Sequence, residues 1–484
     1  MPAWKKLSPS APLQLLAIAL LLSIGAAALH DVSSAWDNWY YHLPFAARLA
    51  GIVPPEAYVF HPLNQARLAG YPLLGELLQG LLWRLTGHLQ AANLVAFAAV
   101  PLHAWYLRRT FRVPFHLTVL ALLAIPLVQL HAGACYVDLP ANVCASILVL
   151  AVHRLYTRSD PPSDGDLLVL AASAAGAANM RFQLHPLILV AFLAAAPRVL
   201  RPLLTAARGP APSPARRRLA LIALVLPLIF FTPLRNLLLH HNPYYPIELV
   251  APGLTLDGPE GAYAASPRYL ENAPRAQRWL YSLLEIGVRP LSETRRWTID
   301  QWAPPDSPAT RMGGFFGAYV VFQLAVLAWQ LARGSSREAR VAGLFFAALS
   351  VLRAFSPQSH ELRYYLDWMI VLCSLNLILL CRERTPASIP LRPPLFGACC
   401  ALALGVVLAV TRAGYVYPSG STFREALRDQ VDPKVLEQIH EGEQICLSRE
   451  PWTFLYAPTF HPEKRYSVRE VESRDQCGEA RFIE

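Results

Sequence analysis

Two acidic residues stand where predicted transmembrane helices emerge on one side of the membrane. Asp37 lies in the aromatic run 36–41 after the first predicted helix, and Asp138 lies in the run 136–140 after the third. A carboxylate at this depth is costly to desolvate, so ionisable groups there are often functional. A carboxylate can also take the proton from an attacking hydroxyl group. The pair therefore indicates acid–base chemistry at the membrane surface, with simple helix capping as the alternative for either residue.

The composition of the chain is that of a membrane protein. Of its 484 residues, 54% are hydrophobic and only 16% are charged, which does not suit soluble domains. The apolar residues fall into runs long enough to span a bilayer, the first at 11–29. We interpret this first run as a retained helix, because many others follow and no signal-peptide cleavage site stands out. The net charge of +10 reflects basic loops rather than nucleic-acid binding.

Basic residues mark every second loop between the predicted helices. Two lysines precede the first helix, and arginine clusters follow the second, fourth, sixth, eighth and tenth. The opposite loops at 133–138 and 356–362 contain no Lys or Arg. By the positive-inside rule this pattern predicts eleven helices, with the amino terminus inside and the carboxyl terminus outside. The fifth and sixth, at 167–178 and 186–196, are short and are predicted as a broken or re-entrant hairpin.

The predicted outer segments are long enough to hold structure of their own, at 30–88, 235–311 and from 413 onward. Within the first, residues 72–85 place leucines at helical spacing over too short a length to cross a bilayer. We therefore expect an amphipathic helix lying in the membrane interface, with a shorter one after Pro44.

The tail reads as a small α/β unit. Its pattern predicts one helix at 423–440 and strands at 444–448, 466–471 and 480–483. The predicted fold is thus an all-α polytopic membrane protein of about eleven transmembrane helices (1–412), with interfacial helices and a small extracytoplasmic C-terminal domain (413–484).

Five motifs occur in a consistent order and on one side of the membrane, at 37–44, 70–78, 136–140, 234–246 and 361–366. They resemble motifs of the GT-C superfamily of membrane glycosyltransferases, which includes protein O-mannosyltransferases and lipid A aminoarabinose transferases. The first and third are similar to that superfamily's acidic outer-loop motifs, and the second to the juxtamembrane helix between them. The fourth is similar to the Arg-Asn and Asn-Pro-x-Tyr-Pro signature of bacterial members, and the fifth to their Arg-Tyr motif. The resemblance extends from residue 10 to about 412.

The resemblance implies inverting transfer of a sugar from a polyprenyl-phosphate donor to an acceptor at the outer face. Such a reaction needs an apolar groove for the prenyl chain, cations for the leaving phosphate and a carboxylate base. We expect Asp37 to be the base and Asp138 to be the second catalytic acid, orienting the acceptor or holding a metal. The donor phosphate is expected at Arg181, Arg363 and Tyr364. Supporting roles are expected for His42, Glu76, Asn236 and Tyr245.

Two positions depart from the pattern of the relatives. Arg181 stands where many relatives carry Lys, which keeps the charge but changes the geometry. Asp367 follows the Arg-Tyr motif where Pro is common. The plainer alternatives for the two arginines are that Arg181 snorkels to water and that Arg363 pairs with Glu361.

The sequence gives weaker evidence for a metal site and for a disulfide. The outer histidines have no helical metal-binding spacing, so we expect no required cofactor and leave open an oxygen-bound Mg or Mn between Asp37 and Asp138. Cys446 and Cys477 share the tail, where a disulfide would stabilise a unit with little core. We predict that they pair.

Two other functions remain as alternatives, and the acceptor stays open. A lipid-linked glycan transporter would place charged residues at mid-membrane depth, and an O-antigen ligase or polymerase would also have many helices and a basic outer loop. The acids after the first and third helices argue against the ligase. The expected partners are the polyprenyl-phosphate donor, a lipid, glycan or protein acceptor and membrane lipids, but not nucleic acid. The expected location is the bacterial inner membrane.

Overall fold

The computed structural model describes residues 10–33, 35–208, 214–261, 271–286, 312, 314–333, 336–382, 392–410 and 416–483. These residues are mostly helical. The first half contains α1 (Ala11–His30), α2 (Leu43–Leu49), α3 (Pro62–Gly70), α4 (Leu74–Thr86), α5 (Leu94–Phe111), α6 (Phe115–Leu123), α7 (Pro126–Ala132), α8 (Asp138–Thr157), α9 (Asp164–Ala178) and α10 (His185–Ala207). The second contains α11 (Pro214–Ile229), α12 (Phe231–His240), α13 (Arg275–Leu283), α14 (Phe315–Arg333), α15 (Arg337–Ala354), α16 (Asp367–Arg382), α17 (Pro393–Val410), α18 (Phe423–Gln430) and α19 (Pro433–Gln438).

Five stretches of the described chain are long and apolar enough to cross a membrane, namely 11–30, 138–157, 182–207, 315–333 and 393–410. Two bent helix pairs, α6 with α7 and α11 with α12, raise the number to as many as seven. The predicted count of eleven is therefore not confirmed. The third predicted helix is divided into α6 and α7, which meet at 98° where Pro126 opens α7, because proline cannot donate the backbone hydrogen bond that would continue the first helix.

The predicted hairpin of two short helices is longer than expected in its second arm. The first arm corresponds to α9 and the second to α10, which has 23 residues and runs on through Pro197 and Pro202. The run from Phe182 to Ala207 is long enough to span a bilayer. The predicted second helix ended at residue 196, before Pro197, whereas α10 continues through both prolines.

Burial separates central from peripheral helices. Sixteen of the 20 residues of α8 and fourteen of the 16 residues of α16 are buried. By contrast, α1 and α17 bury only 28% of their apolar windows, as expected for helices that face lipid. The first residue of each central helix is an aspartate, so both acids enter the protein interior rather than lipid.

The amphipathic helix predicted at 72–85 is present as α4. Its leucines Leu77, Leu78, Leu81 and Leu85 are exposed, while Gly75, Glu76 and Gln79 are buried against the protein. A side chain at Gly75 would collide with Val137, so this glycine lets α4 approach the segment before α8. The shorter helix expected after Pro44 corresponds to α2.

The tail shares a parallel sheet with the first outer segment. Its strands β4 (Glu443–Ser448), β5 (Tyr466–Val471) and β6 (Arg481–Ile483) join β1 (Tyr58–Val59) in the order β1-β5-β4-β6, and a separate hairpin comprises β2 (Leu249–Ala251) and β3 (Leu254–Leu256). The single helix predicted at 423–440 is instead α18 and α19, because Asp432 caps a new helix that begins at Pro433. Cys446 and Cys477 are free thiols packed in one small cluster.

Candidate active site

Asp37 sits immediately before a π-type turn, Asn38–His42, that follows α1. Arg363 donates a hydrogen bond from Nη1 to Asp37 Oδ2 over 3.0 Å, and the Tyr41 hydroxyl donates to the same oxygen over 3.3 Å. Burial and the neighbouring Asp37 carboxylate raise the pKa of Tyr41 well above its usual range. Tyr41 is therefore a neutral donor, and Asp37 Oδ2 accepts hydrogen bonds from a guanidinium group and a hydroxyl group.

Asp138 forms the second carboxylate–guanidinium pair. It is the first residue of α8 and is fully buried, and its Oδ2 accepts a hydrogen bond of 2.6 Å from Arg181 Nη2. The helix amino terminus adds a favourable field for the negative charge. Among the described residues, neither Asp138 Oδ1 nor Arg181 Nε has a hydrogen-bond partner. Both partners thus retain polar capacity for a ligand.

Tyr364 brings the two pairs together. The guanidinium carbon of Arg363 lies 5.1 Å from the centre of its ring, and that of Arg181 lies 5.5 Å away. Arg363 also lies over the ring of Tyr136, at 5.4 Å. Burial raises the pKa of Tyr364 to about 12, against the lowering effect of Arg363, so its hydroxyl stays neutral. Two guanidinium groups, each paired with a carboxylate, therefore lie beside one aromatic ring.

The amphipathic helix α4 supports both acidic segments. Glu76 Oε1 lies 2.7 Å from His42 Nδ1, at the end of the Asp37 turn, and both side chains are buried. Gln79, three residues on, donates to the carbonyl oxygen of Cys135, close to Asp138. The expected supporting residues His42 and Glu76 thus lie behind the acids and link them through α4.

Asn236 and Tyr245 lie at a different place, the turn between α3 and α4. Asn236 Nδ2 donates to the carbonyl oxygens of Gly70 and Tyr245, over 2.7 and 3.0 Å. A side chain at Gly70 would collide with the Tyr245 backbone. These contacts hold the turn that leads into α4, and the structure does not bring either residue to the carboxylate–arginine pairs.

An ion pair that the sequence did not suggest closes one side of the site. Arg67 donates to both carboxylate oxygens of Glu260, at 2.6 and 3.0 Å, and the Tyr71 hydroxyl donates to Glu260 over 2.8 Å. The Arg67 guanidinium also lies about 6 Å from the rings of Tyr40 and Tyr41. No local motif marks Glu260, because its partners are 189 and 193 residues away.

The tail contributes side chains next to the Asp37 turn. Trp452 packs against Trp39 with ring centres 5.2 Å apart, and Arg449 lies 4.9 Å from the centre of the Tyr40 ring. Buried Glu470 accepts hydrogen bonds from the Tyr58 hydroxyl over 2.7 Å and from the His61 backbone over 3.0 Å. The acidic turn is therefore packed against the C-terminal unit.

The described residues do not offer a conventional metal site. No group of three or more His, Cys, Asp or Glu side chains with suitable geometry occurs within the described ranges. Asp37 and Asp138, the carboxylates considered for Mg or Mn, each hold an arginine at 3.0 and 2.6 Å instead. The cationic positions beside both acids are filled by guanidinium groups, so we derive no step through a metal.

The comparison with solved structures identifies the fold. No protein-family model and no curated protein matches the chain. ArnT from Cupriavidus metallidurans bound to undecaprenyl phosphate aligns with a TM-score of 0.50 at 13% sequence identity, over 95% of this chain and 89% of ArnT. Its apo state aligns with the same score and identity, over 96% and 90% of the two chains. The predicted resemblance is thus confirmed at the level of the fold, which this chain shares with ArnT and which is that of a multi-pass membrane protein.

Proposed function

We propose that the protein is an inverting glycosyltransferase that moves a sugar from a polyprenyl-phosphate donor to an acceptor at the extracytoplasmic face of the bacterial inner membrane. The observation that carries the proposal is the convergence of Asp37–Arg363 and Asp138–Arg181 on Tyr364. Two arginines offer the cations that a departing phosphate needs, and two carboxylates offer a base and an orienting acid.

In the proposed reaction the acceptor hydroxyl oxygen forms a bond to the anomeric carbon while the bond from that carbon to the phosphate oxygen breaks. Asp37 takes the hydroxyl proton, and the electron pair of the broken bond stays on the polyprenyl phosphate. Arg181 and Arg363 stabilise that charge, with Arg181 presenting its unpartnered Nε. Asp138 orients Arg181 and the acceptor. No metal is required in this scheme.

An apolar groove supports a lipid donor. A cavity of about 540 Å³ lies between α9, α10 and α11 and is lined almost entirely by apolar side chains. One lining residue is Ile229, whose carbonyl oxygen accepts a hydrogen bond of 3.0 Å from Asn179, two residues before Arg181. We propose that a prenyl chain occupies this groove with its phosphate end directed towards Arg181. ArnT, which shares the fold, was solved with undecaprenyl phosphate bound.

The test is turnover by purified protein in mixed micelles. The protein is given a panel of undecaprenyl-phosphate sugars and a total envelope glycolipid extract, and release of undecaprenyl phosphate is measured together with the mass gained by the acceptor. We expect sugar-dependent release that Asp37→Asn removes. The proposal would be contradicted if the protein released undecaprenyl phosphate from none of the donors and also failed to bind undecaprenyl phosphate. Comparison of envelope glycolipids from cells with and without the protein would then identify the acceptor.

A further inference from the structure

One buried amide joins the two halves of the site from behind. Asn142 lies on α8, one turn after Asp138, and its side chain is fully buried. Its Nδ2 donates to the carbonyl oxygens of Asp138 and Arg363, over 2.8 and 2.9 Å. Its Oδ1 accepts from the backbone N–H of Asp367 over 3.0 Å. The amide therefore contacts α8, the turn that carries Arg363 and the first residue of α16.

The orientation of this amide is determined by its surroundings. Two carbonyl oxygens face one end and an N–H faces the other, so a flipped amide would set oxygen against oxygen and N–H against N–H. The N–H of Asp367 stands at the start of α16, where helical N–H groups have no partner within the helix. Asn142 supplies that partner, and the three hydrogen bonds fix one arrangement.

A buried ion pair also stabilises the contact between α8 and the start of α16. Arg353 at the end of α15 lies 2.9 Å from Asp367 Oδ2, and both side chains are fully buried. Ser146, one further turn along α8, donates to the Asn142 carbonyl oxygen over 2.7 Å. Asp367 is thus held in two ways: its side chain pairs with α15, while its backbone N–H pairs with α8.

We propose that Asn142 is a positioning residue that sets the distance between the Asp138–Arg181 pair and the Asp37–Arg363 pair. The inference rests on the proposed function, since it assigns Asn142 an effect on the donor phosphate that both arginines would bind. Asn142 itself does not touch the substrate. It acts by holding the Arg363 backbone against the residue that anchors Arg181.

The chain offers a matched control in Asn376 on α16. This residue is also fully buried and makes hydrogen bonds of the same kind: its Nδ2 donates to the carbonyl oxygen and Oε1 of Gln323, over 2.9 and 2.7 Å, and its Oδ1 accepts from Gln330 over 2.9 Å. It lies nine residues beyond Asp367, or about 13 Å along a helix. Replacement of Asn376 should therefore lower stability by a comparable amount without changing the proposed active site.

The experiment measures the Kd of undecaprenyl phosphate and the melting temperature for the full-length protein in mixed micelles. Asn142→Leu and Asn376→Leu should both lower the melting temperature. Only Asn142→Leu should weaken undecaprenyl phosphate binding, by about tenfold because the three hydrogen bonds that position Arg363 are lost, and raise the KM of the donor. Asn376→Leu should leave Kd within about twofold. Asn142→Ala serves as the second variant if the leucine variant does not fold.

Unchanged affinity in a folded Asn142 variant, or equal weakening by Asn376→Leu, would overturn the inference. A wild-type protein that does not bind undecaprenyl phosphate would overturn the proposed function itself, and the inference with it. The two failures are distinguishable. If only the inference about Asn142 fails, the wild-type protein still binds undecaprenyl phosphate and Arg181→Ala abolishes that binding. If the proposed function fails, the wild-type protein shows no binding that Arg181→Ala could abolish.

Discussion

Arg363 Nη1 lies 3.0 Å from Asp37 Oδ2, although 326 residues separate the two along the chain. The contact joins the turn after α1 to the turn before α16. Removal of either charge therefore breaks this ion pair, and the two residues are expected to act as a unit.

Asp37→Asn should reduce sugar transfer by about 10²-fold or more, because a positioned base contributes typically about 10² to 10⁴ in rate. Asparagine still accepts hydrogen bonds from Arg363 and Tyr41, so folding should be retained. The measurements are turnover of an undecaprenyl-phosphate sugar and the melting temperature in detergent. Wild-type turnover by the variant would show that Asp37 is not the base.

Asp31→Asn is the matched control for this variant. Asp31 accepts hydrogen bonds from the backbone and hydroxyl of Ser419, over 2.6 and 2.8 Å, and from the backbone of Gly420. It fastens the end of α1 to the tail. Its substitution should lower stability while leaving turnover per folded molecule close to that of the wild type.

Arg181→Gln should destabilise the protein, because Asp138 then remains buried without its hydrogen-bonded cation. Breaking a buried ion pair in this way typically costs about 3–5 kcal/mol. The double variant Asp138→Asn, Arg181→Gln should recover much of the stability but not the transfer activity, since the phosphate still lacks Arg181, one of its two proposed cations. Recovery of turnover in the double variant would contradict a role for Arg181 in phosphate binding.

The packing of the tail should depend on pH through Glu470. Burial raises the pKa of Glu470 above its usual value of 4.5 in the folded protein, so the folded state holds this proton more tightly than the unfolded state. The contribution to stability is fully present below pH 4.5 and is lost as the pH rises through the raised pKa. Hydrogen exchange of the Val468 amide, which bonds Ala57, reports on this contact. Glu470→Gln should flatten the pH dependence, and an unchanged slope would exclude Glu470 as its source.

Cys446 and Cys477 should form a disulfide when the tail matures in an oxidising compartment. They are neighbouring free thiols in the structure, and burial together with Cys477 raises the pKa of Cys446 to about 12, so spontaneous oxidation should be slow. Neither should react with an alkylating agent under non-reducing, denaturing conditions. Reduction should then lower tail stability by about 2–4 kcal/mol, with no effect on a Cys446→Ala, Cys477→Ala variant. Alkylation of both thiols would refute the prediction.

The short loop between α8 and α9 should lie inside the cell. Asp160 is well exposed there, so Asp160→Cys reports sidedness without disturbing the core. A membrane-impermeant maleimide added to intact cells should not label it, whereas lysed cells should show labelling. Labelling in intact cells would reverse the proposed orientation.

Local patterns in the sequence predicted the elements that a short stretch can define. The leucine spacing of 72–85 corresponds to α4, and the strands near 444–448 and 466–471 lie within one residue of β4 and β5. The motif residues Asp37, Asp138, Arg181 and Arg363 converge because each stands at the end of a helix or in the turn beside it. The positions of these helix ends can be predicted from hydrophobic periodicity and from the placement of charged residues.

Contacts between distant segments could not be predicted in the same way. No sequence motif marks Asn142, because its proposed positioning role depends on hydrogen bonds to three backbone groups that come together only in the folded chain. Glu260 and Glu470 look like ordinary polar residues until their partners are known. Strand β1 has two residues, too few for any alternation to be visible. The break at Pro433 was readable in principle, since proline after aspartate marks a helix start.

The parallel pairing of Tyr58 with Val468 also sets an order of events during biosynthesis. In the proposed orientation the acidic turn reaches the outer side before β5 is translated, and β5 pairs with β1, which follows that turn in the chain. Closing a contact across some 400 residues of chain is slow relative to local helix formation. A fragment that stops short of β5 would therefore carry every residue of the proposed catalytic set yet lack the packing that the tail provides around Asp37, and we expect it to be inactive.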